Sequence, residues 1–510
     1  MISPLDVLSF ESWIFVASVI FLARYYVRRK WSKLENLQIP FDPPSLMNLG
    51  SLRKEFGEKT AFEYDNECKK KYGNIWGLYE GLHPVITVHD PDILRQIFIK
   101  DFSNFPDRDK RLTKIGGKEL NNGLTVVSGK QWKRIRSTMT PTFSTSKLKN
   151  MFGIVEWCVD NAVAAFNKKV ENKNGIFNPK ESFSRLSLDI VCSAAFSTKV
   201  HSQDDTVEEP EISKQAKNIF SSSFFNPLIL LCIVFPPFEK VLEKLNISAF
   251  GSGAVGYFKT LTDRVIGKRK ENHHAESRVD LMQLMLDSEI PEDKLTENNV
   301  KGMTKTEIVG NSMLMILAGY ENTGGTMSFL AYCLAQNPEI QTKVQEEIDE
   351  MFEEHGKFDY EGLSKLKLLD MCINETLRLY IPILKNTRFA EKEITINGFT
   401  IPAGMQINIP TYQLAHDPEY WDEPYEFKPE RMQDMSQIDP MVYQPFGAGP
   451  RNCIGMRFAL LEIKLSLAKI LQNFTIKPTE NTPKPPLKLK FAFSVRPEVE
   501  FDLKVEPRRT

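Results

Sequence analysis

Cysteine is scarce and unpaired in this chain of 510 residues: there are seven, an odd number, with no Cys-x-x-Cys spacing. That excludes a disulfide framework, a zinc ribbon and a covalently attached c-type haem, and it fits a reducing compartment. An excess of either charge is also missing. Lysine and arginine total 65 against 66 acidic residues, for a net charge of -1, so a nucleic-acid footprint is not indicated. Beyond about residue 50 there is no repeat, low-complexity tract or long linker. A full-length apolar span is lacking too. The run "SWIFVASVIFLA", Ser12–Ala23, meets Arg24, Arg28, Arg29, Lys30 and Lys33 at once. A span needs about 20 apolar residues, and reaching that count means including Asp6, Ser9 and Glu11.

Charges that follow an apolar run, rather than precede it, do not make a cleaved secretory signal. The expectation is a membrane signal anchor over residues 1–23 with its basic flank in the cytosol. The alternative is a helix lying in the interface. Residues 24–50 then form a basic and proline-rich hinge, since "QIPFDPPS" (Gln38–Ser45) cannot be helix. Residues 51–510 read as one large domain, mainly α with a minor β-sheet. "NIWGLYEGLHPVITVHD" has the pattern of a hairpin, and "ITINGFTIPAGMQINIP" that of two short strands bounded by Gly and Pro. "SQDDTVEEPE" and "KRKENHHAES" read as exposed loops.

One helix is delimited by its own signals. Thr304-x-x-Glu307 is a capping box and Asn337-Pro338 a stop. The intervening length, roughly 50 Å at 1.5 Å per residue, crosses a whole domain. Its centre reads "LAGYENTGG", Leu317–Gly325, with three glycines that each cost roughly 1 kcal/mol against alanine. Something large is expected against that loosened centre.

"PFGAGPRNCIGMRFALLEIKLSLAKIL" supplies the counterpart. Cys453 stands among Gly447, Gly449 and Gly455, just ahead of a run with the pattern of an amphipathic helix. Glycines let backbone approach a flat object closely, and a helix N-terminus beside sulfur favours thiolate. The run "FGAGPRNCIG" resembles the haem-thiolate signature of the cytochrome P450 superfamily, in its microsomal type. "QWKRIRSTMTPTF" and "FGAGPRNCIGMRFAL" are similar to the clan of family 3 and thromboxane synthase. The resemblance covers essentially residues 35–505.

That resemblance implies haem b with Cys453 as axial ligand and metal-binding residue. It implies Arg108, Trp132, Arg136, Arg388 and Arg451 as contacts to the haem propionates, with Arg111 competing for the place of Arg108. Ala318 and Phe446 would also touch the cofactor. It implies a structural Glu375, Arg378 and Arg431 network, and a membrane-dipping stretch at Asn226–Leu242. The implied reaction is insertion of one oxygen atom from O2 into an apolar small molecule. Electrons would come from NADPH–cytochrome P450 reductase, with cytochrome b5 as a second candidate donor. The catalytic domain would face the cytosol on the endoplasmic reticulum. Lys464 and Lys469 are candidate docking cations, and Met313, Ile316, Ile383, Leu384 and Phe491–Phe493 are candidate pocket residues.

One departure stands out. In the family an acid is followed by a threonine that helps deliver a proton. Here the acid is Glu321, the next residue is Asn322, and Thr323 comes one position late, about 100° round the helix. Either a π-bulge beside the glycines brings Thr323 round, or the Asn322 amide acts instead. Glu321, Asn322 and Thr323 are thus the candidate catalytic residues. Two other readings remain at this point: an O2-independent isomerase or dehydratase acting on a peroxide, and a non-enzymatic haem-binding protein.

Overall fold

The computed structural model describes residues 10–57, 61–108, 114–203, 209–220, 226–235, 237–271, 280–296, 298–491 and 494–508. Arg111, Phe493, half of the first charged loop and most of the second lie outside the described residues. The elements that position the site are, in chain order, α1 (Phe10–Trp31), β1 (Ile75–Glu80), β2 (His83–Val88), α2 (Gly129–Met139), α3 (Thr145–Lys173) and α4 (Pro179–Phe196). They continue with α5 (Lys305–Ala318), α6 (Gly324–Gln336), α7 (Lys367–Leu379), β3 (Asn386–Phe389), β4 (Gln406–Ile409) and α8 (Met456–Asn473).

β1 and β2 pair antiparallel, with Leu78 opposite Val85, and Gly81 takes φ +63° in the turn between them. β4 runs parallel to β2, and β3 antiparallel to β4, giving the order β1-β2-β4-β3. The segment Ile394–Ile409 holds three strands where two were expected. Ile394–Ile396 and Phe399–Ile401 make a separate hairpin, while β4 leaves it for the larger sheet. The split follows burial: every residue of β4 is enclosed, and its run of apolar and amide side chains needs a partner on each edge.

The proline-rich stretch does not hang free. The Gly77 N–H donates to Pro40 O at 2.8 Å and the Asp42 N–H to Gly77 O at 2.9 Å. Asp42 accepts from Ser51 Oγ at 3.0 Å and Tyr64 Oη at 2.8 Å, so the strap is held on the hairpin. Upstream, α1 forms, yet no helix among the described residues is long and apolar enough to cross a membrane. The physical reason lies in the run itself: its 12 residues rise roughly 18 Å against a hydrocarbon core of about 30 Å.

The cross-domain helix is capped as its sequence dictates. Glu307 N–H donates to Thr304 Oγ1 at 3.3 Å, and Thr304 N–H to Glu307 Oε2 at 2.8 Å. It ends at Gln336, before Asn337-Pro338. Between α5 and α6 lies one π turn, Gly319–Thr323. The glycines explain its seat. A Cβ on Gly319 would come within 2.3 Å of Val191 Cγ2, and one on Gly324 within 2.6 Å of the Ser184 Cα, both on α4.

α8 differs from its amphipathic reading. Ten of the eleven residues from Leu461 to Leu471 are buried. Lys464 is spent on Asp370 at 2.8 Å, and Lys469 on Glu156 at 3.0 Å and Asp160 at 2.6 Å. Neither is a free docking cation. Nearby, Glu375 takes two bonds of 2.8 Å from Arg378, and Arg431 Nε lies 3.1 Å away. That trio, with Glu375 and Arg378 fully buried, joins α7 to the segment before Cys453, and losing one member would strand a charge.

Candidate active site

A cavity of about 440 Å³ opens between α5, the π turn, α2 and the turn that carries Cys453. Its size and apolar walls suit a small-molecule site. The cysteine turn is shaped by glycine at one decisive point. Gly449 has φ +69°, and a Cβ there would stand 2.1 Å from Phe98 O, so any other residue would push the turn off its support. Cys453 N–H donates to Phe446 O at 2.8 Å, closing the loop. The exposed face of Cys453 opens into the cavity, and Phe446 and Ala318 line the same space. Burial by the surrounding protein pushes its thiol up, while the N–H groups of Gly455 and Met456, with Arg136 and Arg108, pull it down. The helix-end donors expected from sequence are present, and burial outweighs them in the unligated thiol.

Four arginines gather at one side. Arg451 lies over the Trp132 ring at 4.3 Å and donates to Pro106 O at 2.7 Å, Val127 O at 3.0 Å and Asp107 at 3.1 Å. Arg136 grips Asn452 through its carbonyl and side-chain oxygens, both at 2.8 Å. Arg108 reaches Arg451 O at 3.2 Å. Arg388 is 1% exposed, rests on Phe98 at 4.5 Å and donates to Thr387 O at 2.7 Å. The Nε atoms of Arg108 and Arg388 are enclosed with no partner. Burial and the neighbouring guanidiniums lower Arg388 well below its ordinary value and bring Arg451 to about 9. Crowded, desolvated cations with unspent donors call for anions beside them.

At the π turn the sequence candidates part company. Asn322 and Thr323 both line the cavity. A π turn closes i→i+5 and so takes up one extra residue, which moves Thr323 toward the place an α-helix would give its predecessor. Glu321 points elsewhere. Its carboxylate accepts from Ser494 Oγ at 2.7 Å and Arg496 Nε at 2.9 Å, and lies 3.0 Å from Lys180 Nζ. Burial would raise it, but Lys180 and Arg496 outweigh that and hold it at about 2. It is an ionised clamp tying the π turn to α4 and to the strand Val495–Pro497. Of the candidate pocket residues, Ile383 lines the cavity, while Met313, Ile316 and Leu384 sit in solid core. Sequence reading missed Lys180, Ser494 and Arg496, and also Glu462, a lone acid inside the apolar run of α8.

The donor set suits one kind of guest: a flat, doubly anionic group whose metal takes sulfur. The residues fit haem, and with a cysteine facing it they define a haem-thiolate protein. A model of the family Cytochrome P450 matches residues 40–505, and the chain belongs to that family. It is similar to Cytochrome P450 3A5 of Homo sapiens, 37% identical over 503 residues, covering 98% of this chain and 97% of the relative. Cytochrome P450 3A27 of Oncorhynchus mykiss is 38% identical over 512 residues, 100% of this chain and 97% of the relative. Cytochrome P450 3A41 of Mus musculus is 36% identical over 504 residues, 98% and 97% respectively. The protein is accordingly a P450 monooxygenase that uses haem with a cysteine thiolate as axial ligand.

Proposed function

We propose that this enzyme inserts one atom of O2 into an apolar small molecule, taking electrons from NADPH–cytochrome P450 reductase, with cytochrome b5 as a second donor. The carrying observation is the cavity itself, where Cys453 and the π turn with Thr323 share one apolar chamber. Haem, when bound, supplies the oxygen and electron chemistry. The chain's own residues do the rest. Arg108, Arg388 and Arg451 neutralise the propionates, Trp132 and Arg136 hold that flank, and apolar walls exclude water. Thr323 Oγ1 passes protons, with the Asn322 amide beside it; Glu321 fixes the turn that presents them.

The substrate is apolar because the walls are Leu124, Val191, Leu314, Met315 and Ile383. The enzyme works at the cytosolic face of the endoplasmic reticulum. Supporting this, Leu231 and Val234 on the helix Pro227–Val234, Phe235 just after it, and Val241 and Leu245 on the helix Phe238–Leu245 are exposed. These helices, with α1, give two weak attachments that act together. Deleting residues 1–30 leaves Trp31 Nε1 on Gly81 O (3.0 Å). The truncated protein is therefore expected to keep its haem and lose most, though not all, membrane binding in a flotation assay. Loss of haem would show that α1 belongs to the catalytic fold.

The test of function is reductase-driven turnover. With purified reductase, a panel of lipophilic probes that includes a steroid should stimulate NADPH consumption and yield hydroxylated product. Rapid rearrangement of a lipid hydroperoxide without NADPH or reductase would overturn the reading.

A further inference from the structure

The buried acid on α8 shares one hydroxyl with a peptide carbonyl, and counting protons favours one state of the acid. Ser187 Oγ lies 2.5 Å from Glu462 Oε1 and 2.9 Å from Gly319 O. A peptide carbonyl only accepts, and a hydroxyl owns one proton. Were Glu462 ionised, two acceptors would compete for that single proton and one close contact would be repulsive. Both contacts are hydrogen bonds only if Glu462 brings a proton of its own to Ser187, leaving Ser187 to donate to Gly319.

The surroundings agree. Glu462 is 0% exposed, and its Oε2 is buried with no partner at the cavity wall. The charged groups on the elements packed round α8 are engaged elsewhere. On α3, Glu156 and Asp160 face Lys469. On α7, Asp370 holds Lys464 and Glu375 holds Arg378. On the π turn, Glu321 holds Lys180 of α4 and Arg496. Elsewhere on α4, Arg185 pairs with Glu181, and Asp189 takes the Ser202 N–H. On the helix Pro338–His355, Glu347 takes the Leu368 and Leu369 N–H groups and Asp349 holds Arg508. Cys158 on α3, whose thiol feels Glu462, is pushed up to about 12 by burial and is neutral. Burial raises Glu462 to about 8, the Ser187 bond working against it.

Gly319 opens the π turn. Ser184, Ser187 and Val191 are spaced on one face of α4, and it is Val191 and Ser184 that the two glycines abut. The acid therefore ties α8, α4 and the π turn at one point.

We propose that Glu462 is a neutral carboxylic acid whose proton, donated to Ser187, holds the π turn in place, so that Glu462 and Ser187 are positioning residues for Thr323. This rests on the oxygenase reading above for its catalytic consequence, though not for its structural one. When Glu462 ionises, Ser187 turns its proton to the carboxylate, and the Gly319 carbonyl loses its lateral bond.

The experiment uses the full-length haem-loaded protein and Glu462→Gln, whose amide donates to Ser187 at every pH. The wild-type minus Glu462→Gln infrared difference should show a neutral carboxylic-acid carbonyl band at pH 7 that titrates away near pH 8; the buried Glu55, which burial also raises to about 8, cancels in that difference. Hydrogen exchange at residues 319–324, corrected for intrinsic rate, should accelerate several-fold from pH 7 to 9 in wild type and stay flat in Glu462→Gln. Peroxide leak during turnover should follow the same pattern, and Ser187→Ala should leak at all pH values. A difference spectrum without that band, or superimposable exchange profiles, would overturn the inference. If no probe is turned over, the oxygenase reading fails by itself, and the infrared and exchange results still decide this one.

Discussion

Cys453→Ser is expected to fold and to lose the strongly red-shifted Soret band that thiolate ligation gives the reduced carbonyl complex, together with all reductase-driven turnover. The fold survives because the turn is held by backbone: Cys453 N–H on Phe446 O, and Gly449 seated against Phe98. The side chain takes no part in that packing and faces the cavity. Serine keeps the backbone bond and removes only the sulfur, so far-ultraviolet circular dichroism should match wild type. A red-shifted band that persists in the serine variant would mean that another cysteine binds the iron. The other six are all buried, and burial pushes each of their thiols above its ordinary value.

Thr323→Ala carries the second large effect. A positioned proton donor contributes 10²–10⁴-fold, so product formation should fall by about 10²-fold while NADPH consumption falls much less. The difference should appear as hydrogen peroxide. Asn322→Ala should be the milder change, because the π turn brings Thr323 round into the place that Asn322 holds in a sequence alignment. Equal peroxide leak from the two variants would mean that the π turn does not favour Thr323. A larger leak from Asn322→Ala would give the role to the amide.

Sequence was sufficient where its signals are local. The cysteine turn, the capping box at Thr304, the stop at Asn337-Pro338 and the Glu375–Arg378 pair are all written within a few residues, and each stands as read. Even the π turn was legible, from three glycines around a misplaced threonine. The role of Glu321 was not. A carboxylate in an apolar helix suggests proton traffic when its neighbours are unknown, but its partners Ser494 and Arg496 lie 173 and 175 residues away. Glu462 shares that difficulty, since Ser187 is 275 residues distant. Lys464 and Lys469 failed for a related reason. Charge at intervals along α8 reads as a solvated face, and only tertiary packing shows acids from α7 and α3 covering it.

The N-terminus divides in the same way. The basic flank and apolar run were plain, and a helix forms over them, but its apolar stretch is too short to cross a bilayer. The strap beyond it reads as a hinge because proline forbids helix. Its docking on the hairpin depends on Gly77, which exchanges two backbone bonds with it.

Isotope labelling tests the central claim most directly. Turnover of a lipophilic probe with reductase and NADPH under ¹⁸O₂ should place one labelled oxygen atom in the product and the other in water. Product that carries no label, or that forms equally well without O2 from a hydroperoxide, would contradict the account.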